Sequence, residues 1–298
     1  MKRRNGGDRV QAFVLVPGTW MGPWIWKKVA EGLRDRGHSV HLVTLSGLDR
    51  SGGEDVSRIG LDTHIEDVHA VLRDLAPERV VLVGHGTSGI VAGAVADREP
   101  GRVDRTVYVE ASLPHDGRSA IDAFGEPLRG AELRLIEENG GRWPVPDVEV
   151  VADDQGLTPE QARWLTDRLR DHPGRPLTEP VRLTRPLEEQ RATYVVCELE
   201  HFHGRLAADV ERMRSAPTWR FRTLDTGLWP MVSAPDELVA LLDEVAAEIA
   251  LGDALDKALE SGMDDDTNDG VDEAVNDGRS RPAWDTPGDG VGPQRGRG

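Results

Sequence analysis

A single cysteine, Cys197, stands in 298 residues, which excludes an internal disulfide and fits a reducing compartment. No apolar run approaches the roughly 18 residues that a membrane-spanning helix needs, so no span is expected. Met1-Lys2-Arg3-Arg4 is basic, but Asn5-Gly6-Gly7-Asp8 follows where a secretory leader would place its apolar core. A cytoplasmic protein is therefore the expectation. Positive charge is also short: 36 Lys and Arg face 53 Asp and Glu, a net charge of −17. That balance argues against nucleic acid or an anionic membrane as partner and leaves a small molecule as the expected one. The deficit is uneven, because residues 252–298 hold twelve acids against five bases.

At 38% apolar residues the chain can bury a sizeable core. Its central stretch is Val80-Val81-Leu82-Val83-Gly84-His85-Gly86-Thr87-Ser88-Gly89. Four apolar residues read as a buried strand, and the glycine-rich turn runs into a helical pattern from Ile90 to about Arg98. Strand, tight turn and helix form the setting of the G-x-S-x-G nucleophile elbow, but the third position is Gly86. The turn is present and the serine is missing.

Strands are expected at Gln11–Val16, Ser39–Val43, Val103–Val109, Ala192–Cys197 and Thr218–Thr223, with helices at Trp26–Arg36 and Leu61–Leu75. This alternation predicts an α/β fold, a parallel sheet with helices on both faces. Residues 114–186 break the pattern with prolines and one clear helix, Pro159–Arg170, so about 113–190 is expected to be a lid over the site. A last helix is expected at Pro235–Leu251, with Asp236 and Glu237 suited to its dipole. Residues 10–251 then form the folded domain, and 252–298 an acidic tail too poor in apolar residues to fold.

The opening F-V-L-V-P-G-T-W-M-G-P-W-I-W resembles the H-G-x-W-x-G-x-W-x-W start of small esterases and hydroxynitrile-lyase-like proteins of the α/β-hydrolase fold, with Pro17 at the histidine. Y-V-E-A-S-L-P, T-Y-V-V-C-E-L-E and D-T-G-L-W-P-M-V-S-A-P-D-E resemble later landmarks of that group, in order, over about residues 10–250. The resemblance implies a Ser, acid, His triad. It places the nucleophile at Gly86, the acid at Glu200 with Glu198 second, and the histidine at Leu228. It further implies an oxyanion hole from the backbone N–H groups of Thr19 and Thr87, which depends on no side chain. Trp20 and His85 are taken as pocket residues. Glu110, at the carboxyl end of its strand, is taken as a catalytic carboxylate, because ligands bind at that sheet edge.

Ser88 and Cys197 read as helix start and inert core rather than replacement nucleophiles. His201 and His203 could supply a base, but H-x-H without a third ligand predicts no metal, and no cofactor is expected. An acyl-enzyme at position 86 is excluded by chemistry. The expected function is therefore non-hydrolytic: cyclisation, isomerisation, lyase or dehydration chemistry on a small organic molecule, using Glu110, Glu200 and the oxyanion donors. The alternatives are a catalytically silent pseudo-hydrolase that binds a ligand or partner enzyme, and a hydrolase with a relocated nucleophile.

Overall fold

The computed structural model describes residues 10–49, 55–76, 79–153, 155–199 and 204–264. In chain order the elements are β1 (Ala12–Val16), α1 (Lys27–Asp35), β2 (Ser39–Leu42), α2 (Leu61–Asp74), β3 (Val80–His85), α3 (Ser88–Arg98) and β4 (Val103–Val109). The inserted segment carries α4 (Leu128–Glu138), β5 (Arg142–Trp143), α5 (Val148–Ala152), α6 (Pro159–Thr166), β6 (His172–Pro173) and α7 (Arg175–Thr178). The chain then returns with β7 (Ala192–Cys197), α8 (Gly204–Met213), β8 (Trp219–Leu224), α9 (Pro230–Ser233) and α10 (Pro235–Asp264).

Six parallel strands form one sheet in the order β2-β1-β3-β4-β7-β8. This is the α/β-hydrolase fold. Successive side chains of a strand face opposite sides, and both sides are apolar here. Phe13, Leu15, Val81 and Val83 face Leu33 of α1 and Leu238, Leu242 and Val245 of α10. Val14, Val16, Val80 and Leu82 face Ile65 and Val68 of α2 and Val91 and Val95 of α3. Tyr108, Tyr194 and Trp219 stack at the β8 end against Val210 and Met213 of α8. With both faces covered, strands β1, β3 and β4 are buried along their whole length.

Three differences from the sequence expectation have physical causes. Among the described residues the insertion holds four α-helices and the two-stranded antiparallel ribbon β5-β6, not one helix. The helix expected over Pro159–Arg170 stops at Thr166, where the chain turns and the Arg170 N–H donates to the Trp20 carbonyl at 2.9 Å. Helix α10 does not end at Leu251: Leu251, Leu255 and Leu259 continue at helical spacing, although each is more than 60% exposed. The compact unit closes at residue 254. The acidic tail expected to stay unfolded at 252–298 is helical over 252–264, and its remainder, 265–298, lies outside the described residues. Among the described residues no helix is long and apolar enough to cross a membrane.

Close packing fixes where α3 sits. A Cβ on Gly93 would stand 2.4 Å from Pro114 Cγ and 2.6 Å from the Tyr108 hydroxyl. Gly93→Ala should therefore destabilise the fold by about 2 kcal/mol through overpacking. Gly101→Ala, whose Cβ meets nothing within 4 Å, should stay within about 0.5 kcal/mol of the parent. Urea midpoints of the two variants check the contrast.

Candidate active site

Position 86 stands where the sequence puts it, at the turn between β3 and α3. Gly86 has φ +54°, the left-handed backbone that lets a chain leave a strand and enter a helix within two residues. The turn is pinned from both sides: Gly86 N–H donates to Val109 O at 3.3 Å, and Ser112 N–H donates to Gly86 O at 2.9 Å. A Cβ at position 86 would meet nothing nearer than the Gly18 Cα, 4.0 Å away. Space for a side chain therefore exists at the turn. Ser88 begins α3, and its buried hydroxyl donates to Pro17 O at 2.6 Å, tying the helix to the loop after β1.

That loop carries Thr19, whose hydroxyl lies 2.7 Å from the Thr87 hydroxyl. The two residues thus face each other across the mouth of the turn. Neither Thr19 nor Thr87 donates its backbone N–H to a backbone carbonyl among the described residues. Since one hydroxyl donates to the other, the accepting hydroxyl keeps its own proton for a further bond.

His85 is 1% exposed. Its Nε2 is 2.6 Å from Leu228 O, and because a carbonyl only accepts, Nε2 carries the proton. Nδ1 is then a lone pair with no partner among the described residues, packed so closely on Gly18 that a Cβ there would lie 2.4 Å away. Burial pushes the His85 pKa down to about 4, against the weaker upward pull of its hydrogen bond to Leu228. His85 is therefore a neutral strut behind the turn. The same bond brings the Leu228 loop up to the elbow, and Leu228 N–H donates to Gln155 Oε1 of the insertion at 2.6 Å.

Glu110 adopts φ +38° at the end of β4, and its Oε2 accepts from the Cys197 N–H at 2.6 Å. The carboxylate ties the ends of β4 and β7 together. Cys197 itself is fully buried. Glu200, His201 and His203 lie outside the described residues. Trp26 is buried, and Trp24 meets Trp164 of α6 edge to face at 5.4 Å. Trp20 instead reaches the insertion, its Nε1 donating to Trp143 O at 3.1 Å. Gln155 and Trp143 were not singled out in the sequence. One glutamine and one tryptophan inside an irregular segment carry no periodic signal. Among the described residues no group of three or more His, Cys, Asp or Glu could hold a metal.

His85 sets a pH dependence whose sign is fixed. The unfolded imidazole takes its proton near pH 6.5, the folded one only near pH 4. Between these values the unfolded chain binds more protons. The stability that the neutral ring contributes is thus complete above pH 6.5 and is lost as pH falls towards 4, to a limit of about 3 kcal/mol. His172, pushed down to about 3 mainly by burial, acts in the same direction. Urea unfolding between pH 7 and 4 should show a shallower fall for His85→Gln than for the parent.

The description of the Alpha/beta hydrolase family matches residues 13–241. The carbendazim hydrolyzing esterase of Nocardioides sp. (strain SG-4G) is 36% identical over 116 residues, 39% of this chain and 48% of that protein. Methyl jasmonate esterase 1 of Vitis vinifera is 26% identical over 260 residues, covering 80% of this chain and 97% of that one. The chain thus spans about half the length of the first of these relatives and nearly all of the second. Among solved structures, an extracellular α/β-hydrolase from a Paenibacillus species superposes with a TM-score of 0.69 at 20% identity, covering 78% of this chain and 98% of that one. The methylesterase MES16 from Arabidopsis gives 0.64 at 19%, covering 80% and 99%. Likenesses at that identity show the fold.

These relatives overturn one expectation. Cyclisation, isomerisation, lyase and dehydration chemistry were inferred from the missing serine, but the sequence relatives are named esterases and methylesterases, which points to hydrolysis. A strand-turn-helix elbow under an inserted segment, on a six-stranded parallel sheet, agrees with the match over residues 13–241. The chain belongs to the alpha/beta hydrolase family.

Proposed function

We propose that this protein hydrolyses small carboxylic esters by direct attack of water, with Gly86 standing at the family's nucleophile position and Leu228 at its histidine position. The observation that carries this reading is the pairing of Thr19 and Thr87 at the elbow, 2.7 Å apart through their hydroxyls. The ester carbonyl oxygen sits against the Thr19 and Thr87 backbone N–H groups, with the spare hydroxyl proton as a third donor. As water adds to the acyl carbon, negative charge collects on that oxygen, and donors already aimed at it lower the barrier without reorganising. The C–O bond to the alcohol then breaks, the alkoxide takes a proton from the adding water, and acid and alcohol leave. Gly86 offers no oxygen to acylate, so no covalent intermediate forms there.

Turnover follows from the parts retained. Losing nucleophile or base in a serine hydrolase costs about 10⁶ in kcat, while oxyanion donors and binding alone still give about 10³ to 10⁴ over water. The protein is therefore a slow hydrolase. The substrate is a neutral small molecule, as the net charge of −17 disfavours anions. The reducing cytoplasm, suited to the single cysteine, is the proposed compartment.

With p-nitrophenyl acetate and methyl esters of small acids, the parent should show slow, saturable hydrolysis without a burst. A fluorophosphonate should leave its intact mass unchanged. Gly86→Ser with Leu228→His should raise kcat by about 10²-fold, while neither single change does, because hydroxyl and imidazole act as a unit. Hydrolysis no faster than with heat-denatured protein would refute the reading. A fluorophosphonate adduct on the parent would replace direct water attack with a nucleophile elsewhere.

A further inference from the structure

The oxyanion loop contains a backbone conformation that its own sequence does not favour. Trp20, one residue past Thr19, has φ +64°. L side chains resist this region, and a bulky residue stays there only when its surroundings hold it. Besides its packing on the core beneath, Trp20 is held through its indole N–H, its ring and its carbonyl by the insertion. Its indole Nε1 donates to Trp143 O at 3.1 Å, the two rings lie 4.5 Å apart, and its carbonyl accepts from the Arg170 N–H at 2.9 Å.

Trp143 is itself fixed on several sides. Its Nε1 donates to Glu132 Oε2 of α4 at 2.5 Å. Phe124 stands 5.9 Å from its ring. Its backbone pairs with His172 in the β5-β6 ribbon. The His172 ring meets His64 of α2 edge to face at 5.5 Å, and both imidazoles are at most 2% exposed. The ribbon is thereby anchored on α2, so Trp143 is a fixed platform and Trp20 the element pressed against it.

We propose that Trp143 is a positioning residue for ester hydrolysis, acting through Trp20 to hold the Thr19 N–H and hydroxyl in their place opposite Thr87. The role rests on the ester-hydrolysis reading, because only a developing oxyanion has use for the Thr19 donor. Without the Trp143 ring, Trp20 relaxes to negative φ, the Thr19–Trp20 peptide turns, and the Thr19–Thr87 hydroxyl pair separates. Docking of the insertion and assembly of the oxyanion donors are then one event.

Amide hydrogen exchange tests this without needing turnover. In Trp143→Ala, exchange at Thr19 should quicken at least tenfold. In Trp143→Phe, which keeps both a ring and the carbonyl acceptor, it should stay within about twofold of the parent. Glycine accepts φ +64° without support. Trp143→Ala made in a Trp20→Gly background should therefore change Thr19 exchange less than twofold relative to Trp20→Gly alone. Leu187→Ala, a core truncation elsewhere in the insertion, serves as control and should leave Thr19 unchanged. Where hydrolysis is measurable, Trp143→Ala should lower kcat at unchanged KM.

Unchanged exchange in Trp143→Ala, equal acceleration in Leu187→Ala, or the same effect with Trp20→Gly present would overturn the positioning role. If Trp143→Ala does not fold, Trp143→Leu takes its place with the same expectations. A Thr19 response in a protein without esterase activity would sink the ester reading and leave the mechanical link standing. Esterase activity indifferent to Trp143 would do the reverse.

Discussion

The hydrogen bond from His85 Nε2 to Leu228 O is the constraint on which the site depends. It joins the last residue of β3, a buried imidazole, to a loop more than 140 positions later at 2.6 Å. The proton must be on Nε2 for the bond to exist, and because burial keeps the ring neutral its other nitrogen is bare. A buried polar atom without a partner is tolerated rarely, and here it permits close approach. Nδ1 lies against Gly18, where a side chain of any size would collide. Glycine at 18 and histidine at 85 are therefore one choice. Together they draw the loop after β1, the turn at Gly86 and the Leu228 loop into a single unit.

The centre of the sheet was legible because β1, β3 and β4 are buried on both faces. Runs such as Val80–Val83 and Phe13–Val16 contain no polar residue, and their observed bounds lie within a residue or so of those expected. The elbow was legible for a different reason: glycines at 84 and 89 are required where backbone meets backbone. A Cβ on Gly89 would stand 2.4 Å from the Ser112 carbonyl. A glycine that only relieves packing and a glycine that supplies left-handed φ look alike in the sequence. The structure separates them, since Gly86 alone of these three has positive φ.

The insertion was not legible, and the physics says why. Its helices bury few residues each; α4 buries only Ile136. An element held by one or two side chains shows almost no apolar periodicity. Its ribbon is two residues long on each strand, too short for an alternating pattern, and is held instead by Trp143, His172 and their neighbours. The same holds for Glu110. Its place at the carboxyl end of β4 follows from the strand pattern, whereas its bond to the Cys197 N–H depends on how β4 and β7 end side by side.

Residue identity and site geometry are separable at position 86. Gly86 keeps a φ of +54° with open space beyond it, and that geometry is set by Val109, Ser112 and Gly18 rather than by the side chain at 86. The backbone N–H groups at 19 and 87, which the proposed reading takes as donors, do not depend on the side chain at 86. Carbonyl activation needs those donors; covalent catalysis needs the serine. Hydrolysis requires only the first, provided water can reach the acyl carbon. On the proposed reading, glycine at 86 rules out an acyl-enzyme there but not direct attack of water, so a change of mechanism would not require a change of reaction.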